Sequence, residues 1–582
     1  MSVSILRSCV RSGLGVVLLW GGTLGLSGCA KSKPLVEFPT LKALQRIAAQ
    51  PVQRPAKSAG QVPSAGWQVE ARLAASGSQE AWQPSTASER AFVGLLGTQT
   101  RALRTPSALS CAAHELGRFQ LQTGSEVPSA LHSFVLGACG AVTPESARLS
   151  LSGTVTGNPS DDALWERFAE SIRTQLVAGL PATATDVGFW LGRSGDRVVA
   201  SLVYAQQRHT IQPFSLVAAN EERVTFEGRL QDQVDHVEGY INQGRFGVES
   251  CVVDPGVSPP QFRIVCPMAP ADRTAWVQLM YVRPGRVLGT LFLETLLRRG
   301  VGELPVYVES AGSTLSGDKI GFSQGVLAEL NQLRRQAGLG PVTLAEEQSA
   351  TAGKLASHYF AGITSRRSDT LLDDIVLGLL AGWQVPGMIR SGSFYSQYTA
   401  RDLGPAAWLQ AALALPAGRS TLLAPGVERV AVGQMAGAEE AGQGTLVTGY
   451  QLYHGDEHDQ DATRLLSRIN LARKDLGLGQ ASLVSGILPA LREQLSRVHA
   501  GGRSPSAALD QVLQQAVDYS GQSVGGYVFE TMSLDALQLP PEILRQPRLE
   551  LAIGVTHRRP EGGAWAQYVI CVLYVQSAPP GV

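Results

Sequence analysis

Three stretches of this sequence bring side chains capable of acid, base or metal chemistry close together. His454-Gly-Asp-Glu-His458-Asp-Gln-Asp461 gathers two imidazoles and four carboxylates, the residue types that ligate zinc-like ions. It lies where one repeated segment ends and the next begins, so the expected reading is a solvated linker. His114-Glu115 follows Cys111, but no second histidine stands at the spacing of a His-Glu-x-x-His helix; a helix carrying a structural disulfide is expected. His358 has Glu346 and Glu347 twelve and eleven positions upstream, which on a helix is ~16 to 18 Å along the axis and too far for a hydrogen bond. His358 is therefore kept only as a weak site candidate. There is no Gly-x-Ser-x-Gly elbow and no phosphate-binding Walker loop, so nothing points to a serine hydrolase or a nucleotide enzyme.

The remaining chemistry is that of cysteine. Arg7 and Arg11 precede an apolar run from Leu14 to Leu26, the composition of a signal peptide and shorter than the roughly 20 residues needed to span a bilayer. The run ends in Leu26-Ser27-Gly28-Cys29, which resembles the lipobox of bacterial lipoproteins. That resemblance implies a diacylglycerol thioether on Cys29 and a membrane partner reached through several acyl chains rather than a helix. Ala30, not Asp, follows the cysteine, which by analogy with Gram-negative lipoproteins points to the outer membrane and a periplasmic or external location. In an oxidising compartment two disulfides are expected. Cys111 with Cys139 and Cys251 with Cys266 are the sequence neighbours, with Cys571 left as a buried strand thiol, although spacing alone does not decide the connectivity.

The positioning elements follow from composition and periodicity. The chain has 582 residues, 44% apolar and 17% charged, with 49 basic and 49 acidic side chains. That is a multi-domain globular composition with no electrostatic footprint for nucleic acid. Residues 1-28 read as the signal peptide and 29-82, rich in Pro, Ala, Ser and Gly, as a flexible tether. In 83-210, helical patterns over Ser107 to Leu121 and Asp162 to Leu176 and a β run over Val198 to Tyr204 predict a mixed α/β domain. In 211-310, short strands at Val224, Gln261 and Trp276 predict a β-sandwich.

The second half repeats itself. Asn331-Gln-Leu-Arg334-Arg-Gln-Ala-Gly338 matches Asn470-Leu-Ala-Arg473-Lys-Asp-Leu-Gly477 at an offset of 139 positions, and Val430-Ala-Val-Gly433 matches Leu551-Ala-Ile-Gly554 at an offset of 121. Each copy reads as an amphipathic helix stopped by a glycine at C′, a second helix for which Thr343-Leu-Ala-Glu346 is a capping box in the first copy, and then strands. Asn331, Arg334, Asn470 and Arg473 share a helix face and are expected to hydrogen-bond neighbouring loops.

Asn-x-x-Arg-x-x-x-Gly-Leu on the first helix, Trp408, Leu422-Leu423 and Val430-Ala-Val-Gly433 before a closing strand resemble the CAP superfamily, also called SCP or PR-1-like proteins. The resemblance covers about 320 to 453 well and 462 to 577 more weakly, within expected domains 319-455 and 460-577; Asp186-Val-Gly188-Phe followed by Val198 to Tyr204 is an echo that makes 83-210 a candidate third copy. It implies an α+β fold of tandem α-β-α sandwiches beside the all-β domain. The family cleft usually gathers two histidines and two acids able to bind a divalent metal. Here Gly418 stands where one histidine belongs, Arg366 or Arg367 near the other, Ile389-Arg-Ser-Gly-Ser393 lacks the acid, and Gln546-Pro-Arg replaces the motif in the second copy. Neither a metal nor a cofactor is expected. The expected function is a non-catalytic cell-envelope binding module for a protein or apolar small molecule; the alternative is a metal-dependent, peptidase-like hydrolase.

Overall fold

The computed structural model describes residues 38–52, 66–70, 80–99, 101–141, 146–217, 222–300, 304–308, 319–365, 369–399, 403–435, 443–520 and 524–575, apart from 271, 285, 287, 288, 535, 536 and 538, together with Ser4–Ile5. It is mixed α/β. By their contacts the residues form two units. One holds Lys42–Leu377 and Ser393–Gly449, and the other holds Gly378–Gly392 and Tyr450–Val582.

Local sequence explains the helix ends. Thr86 accepts from the Glu89 amide while the Glu89 carboxylate accepts from the Thr86 amide, a reciprocal cap that starts helix Ala87–Gly97. Helix Lys319–Gln336 stops at Gly338 and helix His458–Asp475 at Gly477, with φ of 70° and 72°. In each, the amide one residue on reaches back to an arginine carbonyl: Leu339 to Arg334 at 2.8 Å and Leu478 to Arg473 at 2.9 Å. Only glycine adopts that backbone without strain. Thr343 departs from the expected capping box. It lies in the short strand Thr343–Leu344, and its hydroxyl accepts from Arg429.

Three segments share one strand order. In the second unit, Val524–Thr531, Gln567–Val575, Glu550–Arg558 and Ser482–Leu483 stand side by side in that sequence, the last pair parallel. Ile389–Thr399, Gln443–Leu452, Arg429–Gln434 and Thr343–Leu344 repeat it. The parallel registers, Thr343 with Arg429 and Ser482 with Glu550, reproduce the sequence offsets of 139 and 121. Residues 104–205 have the same plan: Ser146–Thr154, Arg197–Ala205 and Asp186–Ser194 in order, then a parallel bridge from Arg104 to Asp186.

One device anchors all three. A residue one to four positions ahead of the long helix donates to a carbonyl three positions ahead of a glycine: Arg104 to Thr185 at 3.0 Å, Ala345 to Val430 at 2.8 Å and Val484 to Leu551 at 2.8 Å. The glycines, Gly188, Gly433 and Gly554, let that helix lie on the strand. A Cβ on Gly188 would stand 2.1 Å from the Leu109 carbonyl, one on Gly433 2.3 Å from the Gly353 amide, and one on Gly554 2.5 Å from the Leu495 side chain.

Strand alternation then buries both faces of each sheet. In the second unit Leu551, Ile553, Val555, Ile570 and Val572 pack with Leu465 and Ile469, while Ala552, Val569, Cys571 and Leu573 pack with Leu491, Leu495 and Val512. Helical layers thus cover both sides of one sheet. In the N-terminal segment, Phe189, Leu191 and Ala200 face Phe92 and Leu164, and Val203 and Ala205 face Ala112 and Leu116.

Residues 209–298 form two four-stranded sheets: Val252–Val253, Gln261–Pro267, Arg223–Leu230, His209–Ile211, and Gly289–Arg298, Thr274–Val282, His236–Gln243, Gly247–Ser250. They enclose one core that includes Phe226, Ile241, Ile264, Val277 and Leu293. Both disulfides are present, Cys111–Cys139 and Cys251–Cys266, and Cys571 is a buried thiol in Gln567–Val575.

The stretch expected as a tether departs from that reading at residues 66–70. Trp67–Gln68 pairs with Val306–Tyr307, and Trp67 and Val69 are buried. Arg118 stacks over the Trp67 ring at 4.2 Å. An indole and a valine amid Pro and Gly supply enough apolar surface to be captured, which a composition average conceals.

Candidate functional site

The repeated motif residues are structural. Asn331 donates to the Val342 carbonyl at 2.9 Å and accepts from its amide at 2.8 Å, and Asn470 accepts from the Ala481 amide at 2.8 Å. Arg334 donates to the carbonyls of Gly340, Leu422, Ala424 and Val427, and Arg473 to those of Gly479, Leu544, Gln546 and Pro547. Both arginines are fully buried. Their fork geometry closes a loop with no acidic partner in that set.

The histidine that the resemblance would place at position 418 has no room there. Gly418 lies in the short helix Pro416–Leu422, and a Cβ there would stand 1.9 Å from the Ala412 carbonyl oxygen. A histidine at 418 is thus sterically barred. Arg419 turns to the β-sandwich hairpin, donating to the Gly244 carbonyl at 2.9 Å and the Gly247 carbonyl at 2.8 Å. His358 is buried in helix Glu346–Ser365, and Glu346, at that helix's start, accepts from Gln324. Cys29, Ala30, Arg366 and Arg367 lie outside the described residues. His114 hydrogen-bonds Glu115, which is fully buried and also bound by Arg118 at 2.7 Å. The two hydrogen bonds hold the Glu115 carboxylate below its usual range although burial, the largest influence, pushes the other way.

The second unit carries a cluster that sequence reasoning read as a linker. His458 opens helix His458–Asp475, and its Nε2 lies 3.0 Å from Nδ1 of His557 in strand Glu550–Arg558. Asp461, one helical turn on, puts Oδ2 3.8 Å from His557 Nε2. His499, the last residue of helix Leu488–His499, sets Nδ1 3.0 Å from the His557 carbonyl oxygen. The Tyr453 ring stacks on His557 with centroids 4.0 Å apart, and Tyr568 lies 4.8 Å away. Arg390 sits over Tyr453. His557 is fully buried, and neither its Nε2 nor Asp461 Oδ2 has a hydrogen-bond partner.

Burial, reinforced by His458, His499, Arg390 and His454, lowers His557 to about 3. Burial and then Glu457 raise Asp461, while burial and then Asp461 raise Tyr568 to about 12. Two groups with displaced proton affinities thus face each other just beyond hydrogen-bond length.

No protein-family model and no curated protein matches this chain. Among the described residues, no group of three or more His, Cys, Asp or Glu side chains is arranged to hold a metal ion, and no helix is long and apolar enough to cross a membrane. His499 and His557 stand 41 and 99 positions from His458 in sequence, so no local motif announces them. Their one trace is that both fall at the ends of elements paired within the repeat.

Proposed function

We propose that this chain is a lipid-anchored cell-envelope protein comprising CAP-like units and a β-sandwich, acting as a non-catalytic module that binds a protein loop or an apolar small molecule. One observation carries the reading: the Ala412 carbonyl occupies the space a Cβ at Gly418 would need. The cleft chemistry implied by the resemblance therefore has no place for its histidine, and glycine cannot supply the nitrogen a divalent metal requires. The matching strand orders and glycine anchors support the repeat, and the two disulfides support an oxidising location. Anchoring would be through Cys29 to the periplasmic or outer face of a membrane.

Two measurements test it. Mass spectrometry of the mature N-terminal peptide should find Cys29 as the first residue, acylated; an unmodified Met1 in cytosolic protein would overturn the anchor. Purified protein incubated with zinc and dialysed should retain none stoichiometrically and cleave no peptide library. Retained zinc, or cleavage abolished by His358→Ala, would overturn the non-catalytic reading.

A further inference from the structure

The cluster around His557 is not explained by a binding role. A fully buried imidazole whose Nε2 has no partner, set 3.8 Å from a carboxylate oxygen that also has none, is an unusual arrangement because buried polar atoms are normally paired. We propose that His458, His557 and Asp461 form an acid-sensitive latch that fastens the first turn of helix His458–Asp475 to strand Glu550–Arg558 and opens on protonation.

The geometry defines how it works. A nitrogen-to-nitrogen hydrogen bond needs one N–H and one lone pair, so His458 Nε2 and His557 Nδ1 share a single hydrogen. A proton added to the outer nitrogen of His458 leaves that bond in place. A further proton on His557 Nδ1 sets two N–H donors against each other inside the protein, and the bond is lost.

Titratable and charged groups surround His557 from several elements, and all but Asp461 and Tyr568 oppose that proton. Strand Ile389–Thr399 brings Arg390, the segment after Gln443–Leu452 brings His454, and helix Leu488–His499 brings His499. Helix His458–Asp475 contributes His458 and Asp461, the latter itself influenced by Glu457 and Arg464, and strand Gln567–Val575 contributes Tyr568. Among the described residues, Asp461 is the carboxylate placed next to the ring. Burial and Glu457 raise its proton affinity, so it takes up its own proton on acidification and its compensating charge is lost.

Linkage fixes the sign. The closed latch keeps His557 neutral down to about 3, whereas the opened ring regains the ordinary 6.5, so between those values opening takes up a proton. The open population should grow about tenfold between pH 7.5 and 5.5. At lower pH Asp461, whose affinity is shifted the other way, increasingly offsets the gain.

Hydrogen–deuterium exchange of the full chain, corrected for intrinsic rates, tests this. Protection of peptides spanning 453–462 and 550–558 should fall about tenfold from pH 7.5 to 5.5, while Thr274–Val282, which contains no titrating carboxylate or imidazole, stays constant. His557→Gln should flatten the profile. If that variant does not fold, histidine NMR of the wild-type chain still decides, because His557 must remain neutral at pH 5.5 in the closed molecules. Protection that changes less than twofold, or His557 titrating near its ordinary value with protection intact, would overturn the latch.

Discussion

Arg473 repeats the first contact of Arg334 to the residue: each guanidinium Nε donates to a glycine carbonyl six positions on, Gly340 and Gly479, at 2.7 Å in both cases. The remaining nitrogens then reach a loop 88 to 93 residues downstream of Arg334 and 71 to 74 downstream of Arg473. A local helix stop and a distant loop are therefore tied to one buried charge. Replacing either arginine with methionine keeps the volume but strands buried carbonyls, and should cost on the order of 3 kcal/mol or more. Lysine should recover only part of that, since an ammonium lacks the planar fork. Denaturant unfolding of Arg334→Met and Arg473→Met checks this. A loss below about 1 kcal/mol would mean that water replaces the guanidinium.

Gly433 makes a second prediction through its backbone contact. Its absent Cβ is what admits helix Glu346–Ser365, with the Gly353 amide 2.3 Å from where that carbon would sit. Gly433→Ala should lose about 1 to 3 kcal/mol or more by overpacking, and Gly188→Ala, against the Leu109 backbone at 2.1 Å, at least as much. Gly338→Ala meets no atom within 4 Å and should cost only the ~1 kcal/mol of a positive φ. Thermal melts of the three variants rank them; equal losses would mean that the helices shift to relieve the contacts at Gly433 and Gly188.

These glycines also show what could be read before the structure. Periodicity and repeated Asn, Arg and Gly positions carried the helices and their stops, because helix patterns and C′ glycines are local. The N-terminal segment, which shares the strand order, carries only the echo of Asp186-Val-Gly188-Phe and the run Val198 to Tyr204 in its sequence, since strand order is held by backbone bonds that specify no side chain. Trp67 and Val69 were obscured by the Pro and Gly around them. The His557 cluster was illegible for a different reason: its members come from a loop, two helices and three strands, and His458 in isolation resembles any solvated histidine.

The disulfides make a third prediction, from loop length. Cys251–Cys266 closes 15 residues and Cys111–Cys139 closes 28, for which chain entropy gives roughly 3 and 3.6 kcal/mol respectively. Reduction with dithiothreitol should lower the melting temperature, and the Cys251→Ala/Cys266→Ala pair should reproduce part of the shift. An unchanged melt would show that neither bridge limits stability.

His132 supplies a fourth, in the N-terminal α/β segment. Burial, with Arg148 beside it, lowers its affinity for a proton from 6.5 to about 4; its Nε2 has no hydrogen-bond partner. The folded chain thus keeps His132 neutral where the unfolded chain protonates it. Its effect is nil above pH 6.5 and becomes destabilising as pH falls toward 4, reaching at most about 3 kcal/mol. Below that the folded form protonates too, and the loss levels off. Glu115 adds to the same trend, because its lowered affinity is a stabilisation present at neutral pH and lost in acid. His132→Gln should therefore be more resistant to acid than wild type, with the difference opening between pH 6.5 and 4 and absent at pH 8. Urea midpoints across that range measure it, and parallel curves would show that His132 is hydrated in the folded protein.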